Sequence, residues 1–460
     1  MRLTVVGTGY VGLVSGACLA ATGHDVTCVD ALQERVDAVN RCTPLFHEPG
    51  LRELLEQAVG SGRLRATREL NAAVQSSDLT MLAVGTPCEN GDIDLSYIRG
   101  AAESIGKALR ESSSYHVVVV KSTVVPGTTD TVVGGILEQA SGKPIGEFGL
   151  CMNPEFLREG TAVADFMEPD RIVIGQSDDR AGQTLARIYD SFDCPKLFTT
   201  LRNAEMTKYA SNALLATLIS FSNELAAICE GTPGTDVEQV MDGLHLDRRL
   251  NCIVDGKRYT PAILSYLRAG CGFGGSCLPK DITALREFGR RQGHTPRLLE
   301  AVLAVNRSRP AALVSMAESA VGSLRGKTIA VLGLAFKPGT DDLRDSPALA
   351  LIDLLHREEA SVRGYDPFIS SLPRNGRPVA VCGSAAEALR QADAAIIASG
   401  LPELRTLDWT ALAGQMRQPV VIDGRCALRS LELPPPIRYH RIGLSNTGAN
   451  GEANSAATHR

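Results

Sequence analysis

The sequence predicts an α/β protein in which two doubly wound domains are joined by a central helical domain. Three observations carry this prediction. Short, nearly all-apolar runs alternate with helical patterns at the start of the chain and again at its end, and a long helical pattern without Gly or Pro lies between. Strands of this kind form parallel sheets covered on both faces by helices. A chain of 460 residues is long enough for about three domains.

The N-terminal domain, assigned to residues 1–202, opens with one βαβ unit. RLTVVG reads as a buried strand, GYVGLVSGACLAATG as a helix and HDVTCVD as a second strand. Further strands are predicted where apolar runs reach loop-forming residues, at 79–85, 115–123 and 171–175. Because these runs have no polar face, we expect a parallel sheet.

The middle domain, assigned to residues 203–310, is predicted to be helical. Its first helix begins with Asn203 as a plausible N-cap and ends at the GTPG turn of residues 231–234. NRSRP at 306–310 predicts a break in the helical pattern, because proline lacks the backbone N–H that a helix interior needs.

The C-terminal domain, assigned to residues 311–446, repeats the alternation of strands and helices. Strand signals return at 326–342 and in SVRGYDP, DAAIIAS and PVVIDGR, and a helix is predicted from about Ser346. The final segment, 447–460, is small and polar and is predicted to be a disordered tail.

The composition favours a small-molecule partner and a cytoplasmic location. The net charge is −5 without a long basic run, which argues against nucleic acid and anionic membranes as partners. Thr217, Ser220 and Ser222 interrupt the most apolar stretch, so no membrane helix is expected. The 12 cysteines stand apart, without CxxC pairs or zinc spacing, which favours a reducing compartment and predicts no metal site.

A dinucleotide site is predicted where GTGYVG connects the first strand to the first helix. Gly7 allows the tight turn, Gly9 lets the backbone approach a pyrophosphate, and Gly12 allows close packing of helix on strand. Asp30 ends the second strand and can accept hydrogen bonds from a ribose 2′-hydroxyl, whereas it would repel a 2′-phosphate. NAD is therefore expected rather than NADP, in a Rossmann-like domain. Arg35 either reaches the same ribose or is an exposed helix arginine.

The stretch GFGGSCLPKD places Cys277 among glycines. Taken alone, this cysteine is either a small buried hydrophobic residue or a nucleophile. Gly272, Gly274 and Gly275 would let the backbone close on a ligand, and Lys280 could stabilise a thiolate or an oxyanion. A thiolate can trap an aldehyde as a thiohemiacetal, which donates a second hydride and leaves a thioester for water to cleave. The pattern therefore favours a four-electron oxidation.

Five motifs spread over almost the whole chain resemble those of the UDP-glucose/GDP-mannose dehydrogenase family. They are GTGYVG, NPEFLREG, KYASNALLATLISFSNE, GFGGSCLPKD and GLAFKPGTDDLRDSP. The resemblance implies that C6 of a nucleotide-linked hexose is oxidised to the carboxylate with two NAD⁺ at one site. It also implies an N-terminal NAD domain, a middle domain that forms a homodimer, and a C-terminal domain that binds the sugar nucleotide.

The resemblance implies that three residues act directly at C6. Cys277 matches the family's nucleophile, and Lys208 and Asn212 match the pair that steadies the oxyanion. The last two are four residues apart, so both lie on one face of a helix. Read without the family, Lys208 is a solvated helix lysine.

Three more residues are implied in the release of the acid. Asp281 resembles the carboxylate that positions water, Thr123 joins it near the thioester, and Glu155 resembles the base of thioester hydrolysis. Glu159 lies nearby on the sugar-binding loop. Both glutamates are alternatively surface charges, although Pro154 and its apolar neighbours indicate a packed loop.

The resemblance also implies two sets of binding residues. The cofactor is expected to contact Gly7, Gly9, Tyr10, Val11, Gly12, Asp30, Arg35, Thr86, Thr123, Lys280 and Arg344. The substrate is expected to contact Glu155, Phe156, Leu157, Glu159, Lys208, Asn212, Arg258, Tyr266, Arg268, Gly274, Lys337 and Arg425. Arg344 is alternatively part of an ordinary surface ion pair.

The substrate loop GKRYTPAILSYLRAG departs from the family pattern, so the base and the hexose stay open. UDP-glucose is the first candidate, followed by dTDP-glucose and GDP-mannose. Within this loop, Arg258 takes the place of an arginine that a family dimer sends into its neighbour's site. Two other functions remain: a dehydrogenase that moves a single hydride, which gives Cys277 no role, and a non-enzymatic module that binds NAD or a sugar nucleotide.

Overall fold

The computed structural model describes residues 1–89, 91–373 and 378–445. The tail predicted at 447–460 lies outside these residues.

Two compact units make up the described chain. The first comprises Met1–Ala213 and Lys280–Pro296, and the second comprises Leu214–Pro279 and the described residues from Arg297 onward. The division into three domains stays a prediction.

The first unit is built on an eight-stranded sheet. The strands of the unit, including two outside this sheet, are β1 (Arg2–Val6), β2 (Asp25–Val29), β3 (Leu64–Thr67), β4 (Leu79–Leu82), β5 (Cys88–Glu89), β6 (Asp92–Ile93), β7 (Val117–Val120), β8 (Gly149–Met152), β9 (Ile172–Gln176) and β10 (Lys196–Thr200). The sheet runs in the order β10-β9-β8-β7-β4-β1-β2-β3, and β5 and β6 form a separate antiparallel pair. The order reverses direction at β1, and the predicted dinucleotide turn follows this strand.

One pair in this sheet differs from the predicted parallel arrangement. β8 and β9 run antiparallel, with Met152 opposite Gly175, whereas the other neighbouring strands of the sheet are parallel. Apolar strand patterns do not distinguish the two directions when both faces are buried, so this reversal could not be predicted from the residues.

Helices cover both faces of the first sheet. They are α1 (Tyr10–Ala21), α2 (Gln33–Asn40), α3 (Leu51–Gly60), α4 (Leu70–Gln75), α5 (Ser96–Glu111), α6 (Gly135–Ser141), α7 (Ala162–Met167), α8 (Asp179–Ala186) and the first part of α9 (Leu201–Glu230), with a π-helical segment at Thr128–Gly134. From Leu214 onward, α9 belongs to the second unit. Alternate residues of β7 enter different cores: Val117 and Val119 pack in one, and Val118 and Val120 in the other.

Helix α9 begins earlier than predicted. It starts at Leu201, and the backbone N–H of Asn203 donates to the Thr200 hydroxyl at 3.2 Å. The cap is therefore Thr200, and Asn203 lies inside the first turn, so its assignment as N-cap is wrong. The helix ends at Glu230, before the predicted GTPG turn.

The second unit is built on a six-stranded parallel sheet. The strands β11 (Ile253–Val254) and β12 (Lys257–Arg258) form a separate hairpin. The strands of the six-stranded sheet are β13 (Thr328–Leu332), β14 (Ser361–Tyr365), β15 (Ala380–Val381), β16 (Ala394–Ile397), β17 (Val420–Asp423) and β18 (Arg438–Arg441). The sheet order is β15-β14-β13-β16-β17-β18. The helices of this unit are α10 (Val237–His245), α12 (Arg297–Val321), α13 (Pro347–Arg357), α14 (Ala385–Leu389) and α15 (Trp409–Ala413). Helix α11 (Leu278–Arg291) belongs to the first unit from Lys280 onward. Helix α13 begins next to Ser346, as predicted, and the side chain of Ser346 caps it.

The break predicted at 306–310 is absent, because α12 runs through Pro310 without ending. Proline removes one hydrogen bond from the helix. The helix nevertheless buries Leu313 and Val314 in the core of the second unit. The side chain of Asn306 exchanges two hydrogen bonds with the backbone of Phe273, at 2.7 and 3.0 Å, which fixes this part of α12.

Helix α9 also corrects the expectation about membrane-spanning stretches. Among the described residues it is long and apolar enough to cross a membrane, with a mean hydropathy of 1.3 in its best window of 18 residues. Thr217, Ser220 and Ser222 do not lower the average enough to exclude it. Core helices of soluble proteins pass the same test, so length and composition do not assign α9 to a membrane.

Candidate active site

The turn between β1 and α1 has no space for a side chain at two glycine positions. Gly7 has a φ of +96°, and a Cβ at this position would lie 2.7 Å from the carbonyl oxygen of Ala83. A Cβ on Gly12 would lie 1.9 Å from the carbonyl oxygen of Gly7. The predicted roles of these glycines, turning and close packing, match this geometry.

Gly9 leaves the start of α1 open for an anion. It is the N-cap residue, it offers no side chain to the first N–H groups, and a Cβ there would meet nothing within 4 Å. A helix N-terminus without a side-chain cap suits a pyrophosphate. The residues present therefore fit a dinucleotide.

Asp30 lies buried beside this turn. Its Oδ2 accepts hydrogen bonds from the backbone N–H and the hydroxyl of Thr8 at 2.8 and 2.7 Å, and its Oδ1 accepts one from the N–H of Leu32. Burial favours a raised pKa, but these donors and the Arg35 guanidinium, 3.5 Å away, outweigh it and lower the pKa of Asp30. The carboxylate is thus charged at neutral pH, as discrimination against a 2′-phosphate requires.

Replacing Asp30 by Asn should relax the preference for NAD over NADP. The amide oxygen can still accept from Thr8, while the negative charge that repels a 2′-phosphate is lost. We expect the ratio of the two kcat/KM values to fall at least about tenfold, equivalent to about 1.4 kcal/mol. Asp25→Asn, at the exposed opposite end of β2, is the matched control. Unchanged discrimination in Asp30→Asn would mean that another residue sets it.

Helix α9 presents polar side chains to two other segments of the first unit. The Nζ of Lys208 lies 3.0 Å from the Oε1 of Glu155, and both side chains are buried. One turn later, the amide of Asn212 donates to the Oδ2 of Asp281 at 2.6 Å. The other oxygen of Asp281 accepts from Lys280, also at 2.6 Å. The structure thus brings these five predicted residues together as one ion pair and one three-residue cluster.

Glu155 is held in its charged form. Burial alone would raise its pKa, but Lys208, the backbone N–H of Leu157 at 2.6 Å and the charge of Lys121 together lower it. Phe156 lies beside the pair, with its ring centroid 5.6 Å from the Lys208 Nζ and 4.0 Å from the Arg171 guanidinium. Glu155 is therefore part of a packed loop and not a surface charge.

Lys121 is a second buried lysine that the sequence reading missed. Its Nζ donates to the Oδ1 of Asn153 at 3.0 Å, and the same oxygen accepts from the hydroxyl of Tyr189 at 2.6 Å. Burial, opposed by Glu155 and reinforced by Lys208, lowers the pKa of Lys121 to about 8. Its place two residues before Thr123 in KSTVVPGT was the available signal.

Glu48, in HEPG, was also missed. Its carboxylate accepts a short hydrogen bond from the hydroxyl of Tyr10 and one from the N–H of Gly160 at 2.7 Å. Tyr10 also stacks at a tilt on Phe46, with 4.8 Å between ring centroids. Through Glu48, the start of α1 at Tyr10 is connected to Gly160, the last residue of NPEFLREG. In the same motif, Glu159 is half-buried.

Thr123 and Thr86, both predicted to contact the cofactor, are hydrogen-bonded to each other. The hydroxyl of Thr86 donates to the carbonyl of Thr123 at 3.0 Å. The two residues follow the neighbouring strands β7 and β4, so they share the carboxyl edge of the sheet with the dinucleotide turn. Val11 is half-buried in the first turn of α1.

In the second unit, other residues of the protein occupy the space next to two glycines of GFGGSC. A Cβ on Gly274 would lie 2.2 Å from the carbonyl oxygen of Asp345, and one on Gly275 would lie 2.8 Å from the ring of Phe336. The N–H of Gly275 donates to the carbonyl of Arg344 at 2.9 Å. At these positions the glycines thus pack against GLAFKPGTDDLRDSP, and a backbone contact with a ligand stays a prediction.

Cys277 is exposed and immediately precedes helix α11. Its Sγ lies 3.5 Å from the hydroxyl of Ser276. The alternative of a buried structural cysteine is excluded by this exposure. No cysteine of the described chain forms a disulfide, and no cluster of three or more metal-binding side chains occurs there.

The cationic residues predicted to hold the ligands have partners within the second unit. Arg344 forms an ion pair with Asp342, as in the alternative interpretation of a surface ion pair. Arg268 forms ion pairs with Glu238 and Asp242 at 3.1 and 2.7 Å. The remaining positions are as follows: Arg425 donates to the carbonyls of Ala398 and Gly272, Arg258 donates to the carbonyl of Leu246, Lys337 lies 5.5 Å from the Phe336 ring centroid, and Tyr266 is half-buried. A base or diphosphate would have to compete with these contacts at Arg268 and Arg425.

Comparison with known proteins gives matches along most of the chain. Residues 1–193 match the NAD-binding domain of the UDP-glucose/GDP-mannose dehydrogenase family, residues 202–308 match its central domain, and residues 330–430 match its UDP-binding domain. A nucleotide carrying a sugar is thus the kind of ligand that the C-terminal match indicates.

Individual relatives are similar over nearly their whole length. A UDP-glucose 6-dehydrogenase of Haloferax volcanii is 44% identical over 433 residues, covering 92% of this chain and 96% of the relative. A GDP-mannose 6-dehydrogenase of Pseudomonas savastanoi is 41% identical over 357 residues, covering 77% and 78%. The solved UDP-glucose dehydrogenase of Pyrobaculum islandicum superposes with a TM-score of 0.86 at 38% identity, covering 96% of this chain and 98% of that one.

Proposed function

Because the chain belongs to the UDP-glucose/GDP-mannose dehydrogenase family, we propose that it oxidises C6 of UDP-glucose and releases UDP-glucuronate. Membership makes the chain an NAD-dependent nucleotide-sugar dehydrogenase, so the predicted α/β fold, cofactor and enzyme class are confirmed. The choice of UDP-glucose rests on relatives of that name that match more than nine-tenths of the chain, whereas the GDP-mannose relative matches 77%.

The observation that carries the proposed chemistry is the pair of buried contacts along α9. Lys208 with Glu155, and Asn212 with Asp281, supply a cation, an amide and two carboxylates in the first unit. Burying charged groups costs free energy, and clusters of buried titratable groups are typical of active sites. We therefore infer that these residues take part in the chemistry. An oxidation that ends in hydrolysis needs both oxyanion stabilisation and activation of water.

We assign the cofactor to the turn between β1 and α1. When bound there, NAD⁺ accepts the electrons that leave C6. The open N-terminus of α1 at Gly9 would hold the pyrophosphate, and Asp30 would accept hydrogen bonds from the adenosine ribose.

We assign to Cys277 the covalent step. After the first oxidation, its sulfur adds to the C6 aldehyde, the carbonyl oxygen becomes an oxyanion, and Lys208 and Asn212 stabilise that negative charge. The second oxidation removes a hydride from C6 of this adduct and leaves a thioester. Cys277 is exposed at the start of α11, so its sulfur is accessible to a substrate.

Hydrolysis then releases the acid. The oxygen of a water molecule attacks the thioester carbon, the C–S bond breaks, and the thiol of Cys277 is restored. We assign the orientation of this water to Asp281 and Thr123, and the removal of its proton to Glu155, whose lowered pKa keeps it able to accept one.

The experiment that tests the function is the ratio of NADH formed to UDP-glucose consumed, followed to completion with limiting sugar nucleotide. A ratio of two establishes the four-electron oxidation together with the base and hexose. Turnover of dTDP-glucose or GDP-mannose in place of UDP-glucose would change the substrate and keep the chemistry. A ratio of one would contradict the thioester scheme and leave a dehydrogenase that moves a single hydride.

We also propose that the chain acts in the cytoplasm as a homodimer, with the domain division given above. Support for the dimer comes from exposed apolar residues at nearly heptad spacing along α9. They are Met206, Leu214, Phe221 and Ile228. A helix face of this kind suits a second copy of the same helix.

Phe221→Arg should therefore turn a dimer into a monomer. The side chain is 47% exposed, so the substitution spares the core and places a charge in the middle of the apolar face. Light scattering after size-exclusion chromatography measures the mass directly. Tyr97→Arg, an equally drastic change at a 61% exposed position on α5, is the control. A dimer that survives Phe221→Arg would place the interface elsewhere.

A further inference from the structure

Glu205 is a buried carboxylate for which the mechanism above has no role. It lies on α9 three residues before Lys208 and seven before Asn212, so all three side chains leave the same face of the helix. Its Oε2 accepts the backbone N–H of Gly127 at 2.6 Å, and its Oε1 accepts that of Thr129 at 2.7 Å. Each carboxylate oxygen thus fixes one point of the same turn.

This turn belongs to the loop that carries Thr123. The loop leaves β7, reverses at Gly127, where φ is +94°, and enters the π-helical segment Thr128–Gly134. At its beginning, the hydroxyl of Ser122 donates to the carbonyl of Val84 at 2.7 Å. The loop is therefore held next to Thr123 by the hydrogen bond from Ser122 to Val84, and at Gly127 and Thr129 by Glu205.

We propose that Glu205 is a positioning residue that sets the place of Thr123 for thioester hydrolysis. This inference rests on the proposed function and on the role assigned to Thr123. Helix α9 would then organise three loops from one face: the Thr123 loop through Glu205, the NPEFLREG loop through Lys208, and the start of α11 through Asn212.

The arrangement requires two acceptors, which only the ionised carboxylate supplies. A glutamine can turn its oxygen toward one N–H but must turn its NH₂ group toward the other, so one backbone donor loses its partner. Protonation has the same effect on one oxygen. Burial, with the charge of Asp130 as a minor cause, outweighs the side chain of Thr129 and the two N–H donors and raises the pKa of Glu205 to about 7.

Glu205→Gln is accordingly expected to lower kcat by about tenfold to a hundredfold at pH 8, the loss typical of a misplaced catalytic group. Because hydrolysis is the affected step, NADH should appear in a rapid burst of two per active site, followed by slow turnover. Mass spectrometry of the quenched enzyme should find the acyl group on Cys277. Glu53→Gln, an exposed residue of α3, removes the same charge and should behave as wild type.

A double-variant comparison separates positioning from general damage. If Glu205 acts through Thr123, adding Glu205→Gln to Thr123→Ala should cause no further loss of kcat. Losses that multiply would overturn the proposal, and so would a slow first burst without acyl-enzyme. Failure of the proposed function looks different: wild type would form no NADH from UDP-glucose, or Thr123→Ala would keep the wild-type kcat.

A second test leaves Glu205 unchanged, in case Glu205→Gln does not fold. We expect the wild-type kcat to fall as pH drops through about 7, because protonation of Glu205 releases one N–H. The titratable groups around it are Asp130, which Arg202 contacts at 2.6 Å, and the neutral phenol of Tyr209, one turn along α9. Asp130→Asn removes a negative charge, lowers the pKa of Glu205 and should move this acid limb to lower pH. An acid limb that stays in place would contradict the role of Glu205.

Discussion

Cys277→Ala should abolish formation of the acid while both ligands still bind. Without the thiol no thiohemiacetal forms, so the second oxidation has no substrate and no thioester arises. We expect the steady-state rate of UDP-glucuronate formation to fall by about 10³-fold or more, the range seen when a covalent nucleophile is removed. Chromatographic measurement of the acid is the direct assay, and wild-type turnover would refute the covalent scheme.

Two further variants sharpen this result. Cys277→Ser keeps an oxygen nucleophile, so we expect slow formation of an ester that accumulates because it is cleaved slowly. Cys252→Ala removes another exposed cysteine of the second unit and should leave turnover unchanged. If Cys252→Ala were as inactive as Cys277→Ala, the loss would reflect a general sensitivity of the unit to cysteine replacement and not a nucleophile.

The second large effect is expected for Lys208→Met, on stability as well as on turnover. The substitution leaves Glu155 charged and unpaired inside the protein, and breaking a buried ion pair costs about 3–5 kcal/mol of unfolding free energy. Lys107→Met breaks the exposed pair with Glu103, which we expect to have no measurable effect. Urea denaturation compares the two variants with wild type.

The pH dependence and a double variant test the same pair. Because the folded state lowers the pKa of Glu155, the pair stabilises the fold above the ordinary pKa of glutamate, and this stability is lost as pH falls through the lowered value. The difference between wild type and Lys208→Met should therefore shrink in acid. Adding Glu155→Gln removes the unpaired charge and should restore much of the stability, but not turnover. A variant that regains both would assign the pair a purely structural role.

The sequence was sufficient for features that depend on neighbouring residues. The first βαβ unit, the acid at the end of β2 and the start of α13 follow from local patterns, and each lies where it was expected. The family resemblance then implied Lys208 and Asn212 as functional, and their i, i+4 spacing agreed with a shared helix face. Their catalytic roles stay a prediction.

Features that depend on distant backbone were beyond the sequence. Glu205 accepts from N–H groups 76 and 78 residues away, and no residue pattern reports a bond to a main-chain donor. The helix break predicted at Pro310 was wrong, because burial of the apolar face of α12 outweighed the loss of one backbone hydrogen bond. The reversal of β9 left no trace in an apolar strand.

The close packing next to Gly274 and Gly275 in the cysteine loop limits how chimeras can be built between this enzyme and its relatives. Phe336 and Asp345 occupy the space that side chains at Gly275 and Gly274 would need, so the loop and the GLAFKPGTDDLRDSP segment form one complementary surface. A chimera that takes its C-terminal part from a relative has to import the matching cysteine loop as well. Crossover points that separate residues 272–277 from 336–347 should yield few active hybrids, whatever the overall identity of the parents.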